Sequence, residues 1–143
     1  MSDFTTGPIV VGVDGSAGSS SAVELAATLA ASTRQPLLIV WVRHLPAFIE
    51  ASSALGEANA ALDDLGHHLE AELKETLSSR DVAWTFEARR GDPAGQIMEA
   101  ADERDAALVV VGHRGQNQAV SLFLGSVATR LVHHATQPVL VAR

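Results

Sequence analysis

Three glycines and a serine between positions 112 and 126 have the types and the spacing of a phosphate cradle. A valine run, Val109 to Val111, ends in Gly112, and Gly115 follows shortly after. Gly125-Ser126 then opens a stretch with helical spacing. Backbone N–H groups of a glycine turn and of a helix N-terminus converge on an anion, and absent side chains let it approach. Gly112 and Gly115 would turn the backbone; Gly125-Ser126 would present free amides, with the Ser126 hydroxyl as a further donor. A glycine-rich connecting loop without a ligand has the same composition. Generic phosphate motifs are missing. G-x-x-x-x-G-K-[ST] does not occur, and Gly12, Gly15 and Gly18 are not spaced G-x-G-x-x-G, so neither a P-loop nor the dinucleotide fingerprint applies.

A second stretch, Asp14-Gly15-Ser16, also ends a valine-rich run. In an open α/β sheet, ligands sit beyond the carboxyl ends of the strands, where the strand order reverses. If both loops flank that point they face each other. Asp14 then either meets the ligand or only folds an Asx turn and caps a helix. Arg114, the cation inside the glycine stretch, either neutralises phosphate or is solvated; His113 either donates to phosphate or fills the loop. His67-His68 and His133-His134 are adjacent pairs, each split across two helix faces. Metal sites favour i, i+4 spacing, so these four are expected in solvent. Trp41 and Trp84 are expected to pack in the core or at a sheet edge.

The elements that must hold these residues alternate. Pro8 to Val13 and Leu37 to Val42 are continuous apolar runs, the pattern of strands buried on both faces. Between them Ala22, Leu25, Ala26, Leu29 and Ala30 form a helical stripe, capped by Ser16 or Ser19 and stopped at Arg34-Gln35-Pro36. Arg43 to Ser53 has the mixed character of a loop. From about Ala54 to Leu77 the spacing is helical again, and Asp81 to Ala88 alternates like an edge strand. Gly91-Asp92-Pro93 is a strong helix start, Asp as N-cap and Pro at the first position, with Ile97, Ala100 and Ala101 turned inward. Ala107 to Val111 is a fourth strand. Leu124, Val127, Ala128, Leu131, Val132 and Ala135 form a last helical stripe, and Val139 to Ala142 a final strand. Strand–helix alternation implies a parallel sheet with right-handed crossovers.

Composition narrows the function classes. The 143 residues form one domain by prior. A net charge of −7 with ten scattered Lys and Arg gives no basic face for nucleic acid and disfavours anionic membranes. With no cysteine, disulfides and zinc–thiolate sites are excluded, which fits a reducing compartment. No signal peptide is expected at Met1 to Pro8, and no apolar stretch approaches the roughly 20 residues of a membrane span.

The G-x2-G-x9-G-S pattern from Gly112 to Ser126 resembles the signature of the nucleotide-binding branch of the universal stress protein family. I-V-V-G-V-D-G-S at 9–16 resembles that family's opening, G-D-P-A at 91–94 the start of its third helix, and H-A-T-Q-P-V-L-V at 134–141 its ending. The resemblance implies a single Rossmann-like α/β domain over residues 1–143: a five-stranded parallel sheet in the order 3-2-1-4-5 with helices on both faces. It implies a site for ATP, with or without Mg, built from Asp14, Val42, Gly112, Arg114, Gly115, Gly125, Ser126 and Val127. Asp14 would meet ribose or the metal–phosphate region, and the backbone near Val42 the adenine. Gly112, Gly115, Gly125 and Ser126 would hold ribose and phosphates. The last strand would pair with its copy in a homodimer.

ATP-binding members often carry Ser or Thr two residues after the motif serine, where this chain has Ala128. One hydroxyl donor is lost, worth about 0.5–1.5 kcal/mol net, while the Ala128 amide remains. ATP hydrolysis needs a positioned water, a group to orient it and cations against the developing charge; one candidate carboxylate and one candidate Arg support binding over turnover, with slow hydrolysis at most. The expected function is a cytoplasmic, ATP-binding regulator in a stress response. A slow ATPase and a dimeric scaffold without nucleotide are the alternatives.

Overall fold

The computed structural model describes residues 6–113 and 124–143. Five strands, β1 (Ile9–Val13), β2 (Leu37–Arg43), β3 (Trp84–Arg90), β4 (Leu108–Gly112) and β5 (Val139–Ala142), form one sheet. Its order is β3-β2-β1-β4-β5, and every pairing is parallel. This is the arrangement expected from the sequence. The helices are α1 (Ala17–Thr33), α2 (Ala47–Glu50), α3 (Leu55–Leu77), α4 (Pro93–Glu103) and α5 (Ser126–His134).

Strand side chains alternate between the two faces, and two cores result. Ile9, Val11 and Val13 pack with Ala22 and Ala26 of α1 and with Leu69, Leu73 and Leu77 of α3. Val10, Leu38 and Val40 pack with Ile97, Ala100 and Ala101 of α4 and with Ala128 and Leu131 of α5. Each face therefore has its own pair of covering helices, and all five residues of β1 are buried between them.

Several boundaries and faces differ from the sequence-based expectation. The buried stripe of α1 is Ala22, Val23, Ala26, Ala27 and Ala30, with Leu25 turned outward. Small side chains bring that helix close to the sheet, so the larger Leu25 is not the anchor. Arg43 belongs to β2, and residues 47–50 of the expected loop form the short α2. β3 starts at Trp84, later than expected, and runs to Arg90. In α5 only Ala128 and Leu131 are buried; Val132 is 52% exposed and Leu124, just before the helix, 37%.

The two sheet edges are unlike. On β3, Arg89 forms hydrogen bonds with both carboxylate oxygens of Glu103 and lies beside Glu87 and Glu99. The hydrogen bond from Arg89 holds the Glu103 carboxyl below its ordinary value. Such charges blunt an edge against further strand pairing. On β5 the residues are Val139, Leu140, Val141 and Ala142, the first three only partly buried.

Candidate functional site

The pairing of β1 with β4 ends at Val11 and Val110, although β1 runs to Val13 and β4 to Gly112. On its other side β1 stays paired with β2 as far as Val13 and Trp41. The strands part because the chain leaves them for opposite faces, β1 toward α1 and β4 toward α5. A cleft of about 400 Å³ opens there, the expected place for a ligand in this topology and within the size range of small-molecule sites.

One wall is the turn after β1. The Ser16 N–H donates to Asp14 Oδ1 at 2.9 Å, and the Asp14 N–H donates to Ser19 Oγ at 3.3 Å. Gly15 sits at φ 86°, a conformation glycine adopts without steric cost. Ser16 caps α1 by accepting from the Ser19 N–H. Asp14 thus makes the Asx turn and also lines the cleft; the two readings of this residue coexist.

The facing wall is the start of α5. Gly125 is its N-cap, with extended backbone and no side chain to close the helix end. The Gly125 N–H donates to the His113 carbonyl at 2.8 Å, and the His113 N–H to the Ala142 carbonyl at 2.7 Å. These bonds fasten both ends of the glycine stretch to the end of β5. The first α5 amide with an acceptor is that of Thr129, on the Gly125 carbonyl at 2.9 Å. The amides of Ser126, Val127 and Ala128 have no hydrogen-bond acceptor among the described residues, and all three residues line the cleft. A helix start left open in this way carries the positive end of the helix dipole and spare donors.

α4 starts at the same edge of the sheet but is closed. Asp92 Oδ2 accepts from the Gly95 N–H at 2.9 Å and from Arg130 Nη1 at 2.6 Å. The Gly95 amide, and next the Arg130 guanidinium, hold the Asp92 carboxyl below its ordinary value. Pro93 and Ile97 of α4 complete the floor of the cleft.

Six of the eight sequence-derived residues, Asp14, Val42, Gly112, Gly125, Ser126 and Val127, line this one cleft. Arg114 and Gly115 lie outside the described residues. Gly112 has a packing role of its own. A Cβ there would lie 2.7 Å from the backbone carbon and oxygen of Gly18, so a side chain would push α1 away from β4. Val42 lies beyond the last β1–β2 pair, so the β1 side of its backbone borders the cleft. The expected hydroxyl loss falls on Ala128, which is 2% exposed.

Sequence reasoning missed His44, Leu62, Leu65, Pro93 and Ile97 as lining residues. Leu62 and Leu65 belong to a helical stripe whose period foretells burial but not which cavity it meets. His44 stood in the expected loop; its Nδ1 lies 3.2 Å from the Gly91 carbonyl. A carbonyl only accepts, so this nitrogen carries the proton. Asp14 and His44 are the ionisable side chains on the cleft among the described residues. The four histidines expected in solvent, His67, His68, His133 and His134, are exposed. Among the described residues no helix is long and apolar enough to cross a membrane, and no group of three acidic or histidine side chains is placed to hold a metal.

A parallel sheet wound on both faces, with a cleft where β1 and β4 part, defines a Rossmann-like α/β protein with a switch-point site. The chain belongs to the universal stress protein family, whose model matches residues 5–143. It is 29% identical to the universal stress protein YxiE of Bacillus subtilis, over 94% of this chain and 97% of that protein. It is 35% identical to the universal stress protein Rv2623 of Mycobacterium tuberculosis over 95% of this chain, and spans 45% of that longer protein. Among solved structures, the universal stress protein UspA of Lactobacillus plantarum superposes with a TM-score of 0.79 at 23% identity, covering 96% of this chain and 99% of that one. A universal stress protein in complex with cAMP is 28% identical, with a TM-score of 0.63 and coverage of 96% and 98%. The universal stress protein of Archaeoglobus fulgidus in complex with dAMP is 23% identical, with a TM-score of 0.62 and coverage of 97% and 99%.

Proposed function

We propose that the cleft binds an adenine nucleotide, ATP with or without Mg, and that the bound nucleotide regulates this protein's part in a cytoplasmic stress response. The observation that carries the reading is the row of amides at Ser126, Val127 and Ala128, which have no acceptor among the described residues and line the same cleft as the Asp14 turn. These amides suit phosphate oxygens. Val42, Leu62 and Leu65 give the other end an apolar surface suited to a base. Asp14 is the carboxylate on the cleft that would meet Mg or the ribose. The cAMP and dAMP complexes of relatives support an adenine-containing ligand; the triphosphate is inferred from the open helix start and the glycine signature. The apolar edge of β5, in contrast to the charged edge of β3 on the opposite side of the sheet, supports a homodimer through β5.

Thermal unfolding with and without Mg-ATP tests the reading. Binding at a hundred times Kd adds about 2.7 kcal/mol, enough to raise Tm by several degrees; mass analysis of copurified ligand identifies the nucleotide. A chain whose Tm does not move at millimolar Mg-ATP overturns it. Slow ATP hydrolysis is the second reading, favoured by Asp14 lining the cleft. It requires phosphate release that Asp14→Asn abolishes.

A further inference from the structure

The part of α3 that reaches the cleft is less deeply buried than the rest. The buried residues of α3, Gly66, Leu69, Leu73 and Leu77, all lie at or beyond the midpoint of the helix. Leu62 and Leu65, the residues on the cleft, are partly buried and pack against the margin of the core, and the helix start at Ala54 has no side-chain cap. Gly66 marks the boundary: a Cβ there would lie 2.7 Å from Trp41 Cζ3. The first half of α3 therefore borders the cleft beyond its close approach to Trp41.

Arg43 links β2 to this half of the helix. It is the last residue of β2, next to Val42, and its side chain is 18% exposed. Nη1 pairs with Asp63 Oδ1, and Nη2 donates to the Asn59 carbonyl at 3.1 Å. The guanidinium lies 5.9 Å from the Trp41 ring centroid, within cation–π range. Asn59 and Asp63 flank Leu62 on the same turn of α3. Arg43 Nε is buried with no partner among the described residues, so this contact does not satisfy the guanidinium in full.

We infer that Arg43 is a positioning residue for base recognition: through Asp63 and Asn59 it sets the Leu62–Leu65 wall against the apolar end of the cleft. This rests on the nucleotide reading above. The phosphate end is built from α5 and the β1 turn, which Arg43 does not touch, so the two ends separate experimentally.

The test compares Mg-ATP with Mg-tripolyphosphate, which has phosphates and no base, by calorimetry. Arg43→Met is expected to weaken ATP by about tenfold or more, the scale of losing a few methylene contacts, and to change tripolyphosphate by less than about twofold. Asp63→Ala, on an exposed side chain, is expected to act in the same direction and guards against misfolding of the first variant. Arg43→Lys, which keeps a charge for Asp63, is expected to recover part of the ATP affinity. Hydrogen exchange without ligand is expected to quicken at residues 59–65 in Arg43→Met and to stay unchanged in the strands. Unchanged ATP affinity in both Arg43→Met and Asp63→Ala, or an equal fall for both ligands, overturns the inference. A wild-type chain that binds neither ligand overturns the nucleotide reading and this inference together.

Discussion

α4 and α5 begin side by side at the carboxyl edge of one sheet, yet their first turns are opposites. α4 is finished by its own sequence: Asp92 caps it, Pro93 fills the position that needs no N–H, and Arg130 neutralises the cap. α5 begins at a glycine with nothing to offer its amides. Helix starts without partners are disfavoured where water is displaced, so evolution toward stability alone would place Asp or Ser at position 125. On the nucleotide reading proposed above, the difference teaches that a ligand site can be recognised by what the local sequence withholds, with α4 a structural end and α5 a receptive one.

Making α5 resemble α4 should have the largest effect. Ser126→Asp puts a carboxylate in the open first turn. Calorimetry is expected to show Mg-ATP weakened by about a hundredfold or more, roughly 2.7 kcal/mol. The unliganded protein should be as stable as wild type or more so, since an acidic first turn gains about 0.3–1 kcal/mol. Retained ATP affinity would break the comparison. Making α4 resemble α5 should do the reverse. Asp92→Ala removes the cap and is expected to cost about 0.5–2 kcal/mol in urea unfolding, while ATP affinity stays within about twofold. Smaller again is Arg130→Met, which removes a half-exposed ion pair; the expected loss is under about 1 kcal/mol.

The smallest effect is one of pH. The folded Asp92 carboxyl lies below its ordinary value of 3.8, so its contribution is present above that pH. It is lost as pH falls through the lowered folded value. Acid unfolding curves of wild type and Asp92→Asn should therefore converge below about pH 3.8 and separate above it. Parallel curves throughout would contradict this.

Much of the fold was legible because parallel strands are uniformly apolar and their helices are punctuated. P-I-V-V-G-V, L-L-I-V-W-V and G-D-P each have one physical interpretation, and each marks its element to within a few residues. α1 was misread in detail because it offers alanines on more than one face, and the sheet selected the small ones over Leu25. α2 was missed because a four-residue helix has too few positions to show a period. The polar half of the cleft could be located from Asp14, Gly112, Gly125 and Ser126, since turns and helix starts are local features. Of its apolar half only Val42 could be named, through the family resemblance. Whether Leu62 and Leu65 face a core or a cavity depends on where α3 crosses β2. Arg43 likewise reads as the start of a loop until its place in β2 and its contacts with Asn59 and Asp63 are known.

The central contrast between a closed and an open helix start is tested most directly by following backbone amides in a 15N-labelled sample titrated with Mg-ATP. The expected result is large, saturable shifts at Ser126, Val127 and Ala128, accompanied by Asp14 and Gly15, with Gly95 and Gln96 of α4 unmoved. Saturable shifts at α4 with Ser126 to Ala128 unmoved, or no saturable shift anywhere at millimolar Mg-ATP, would contradict it.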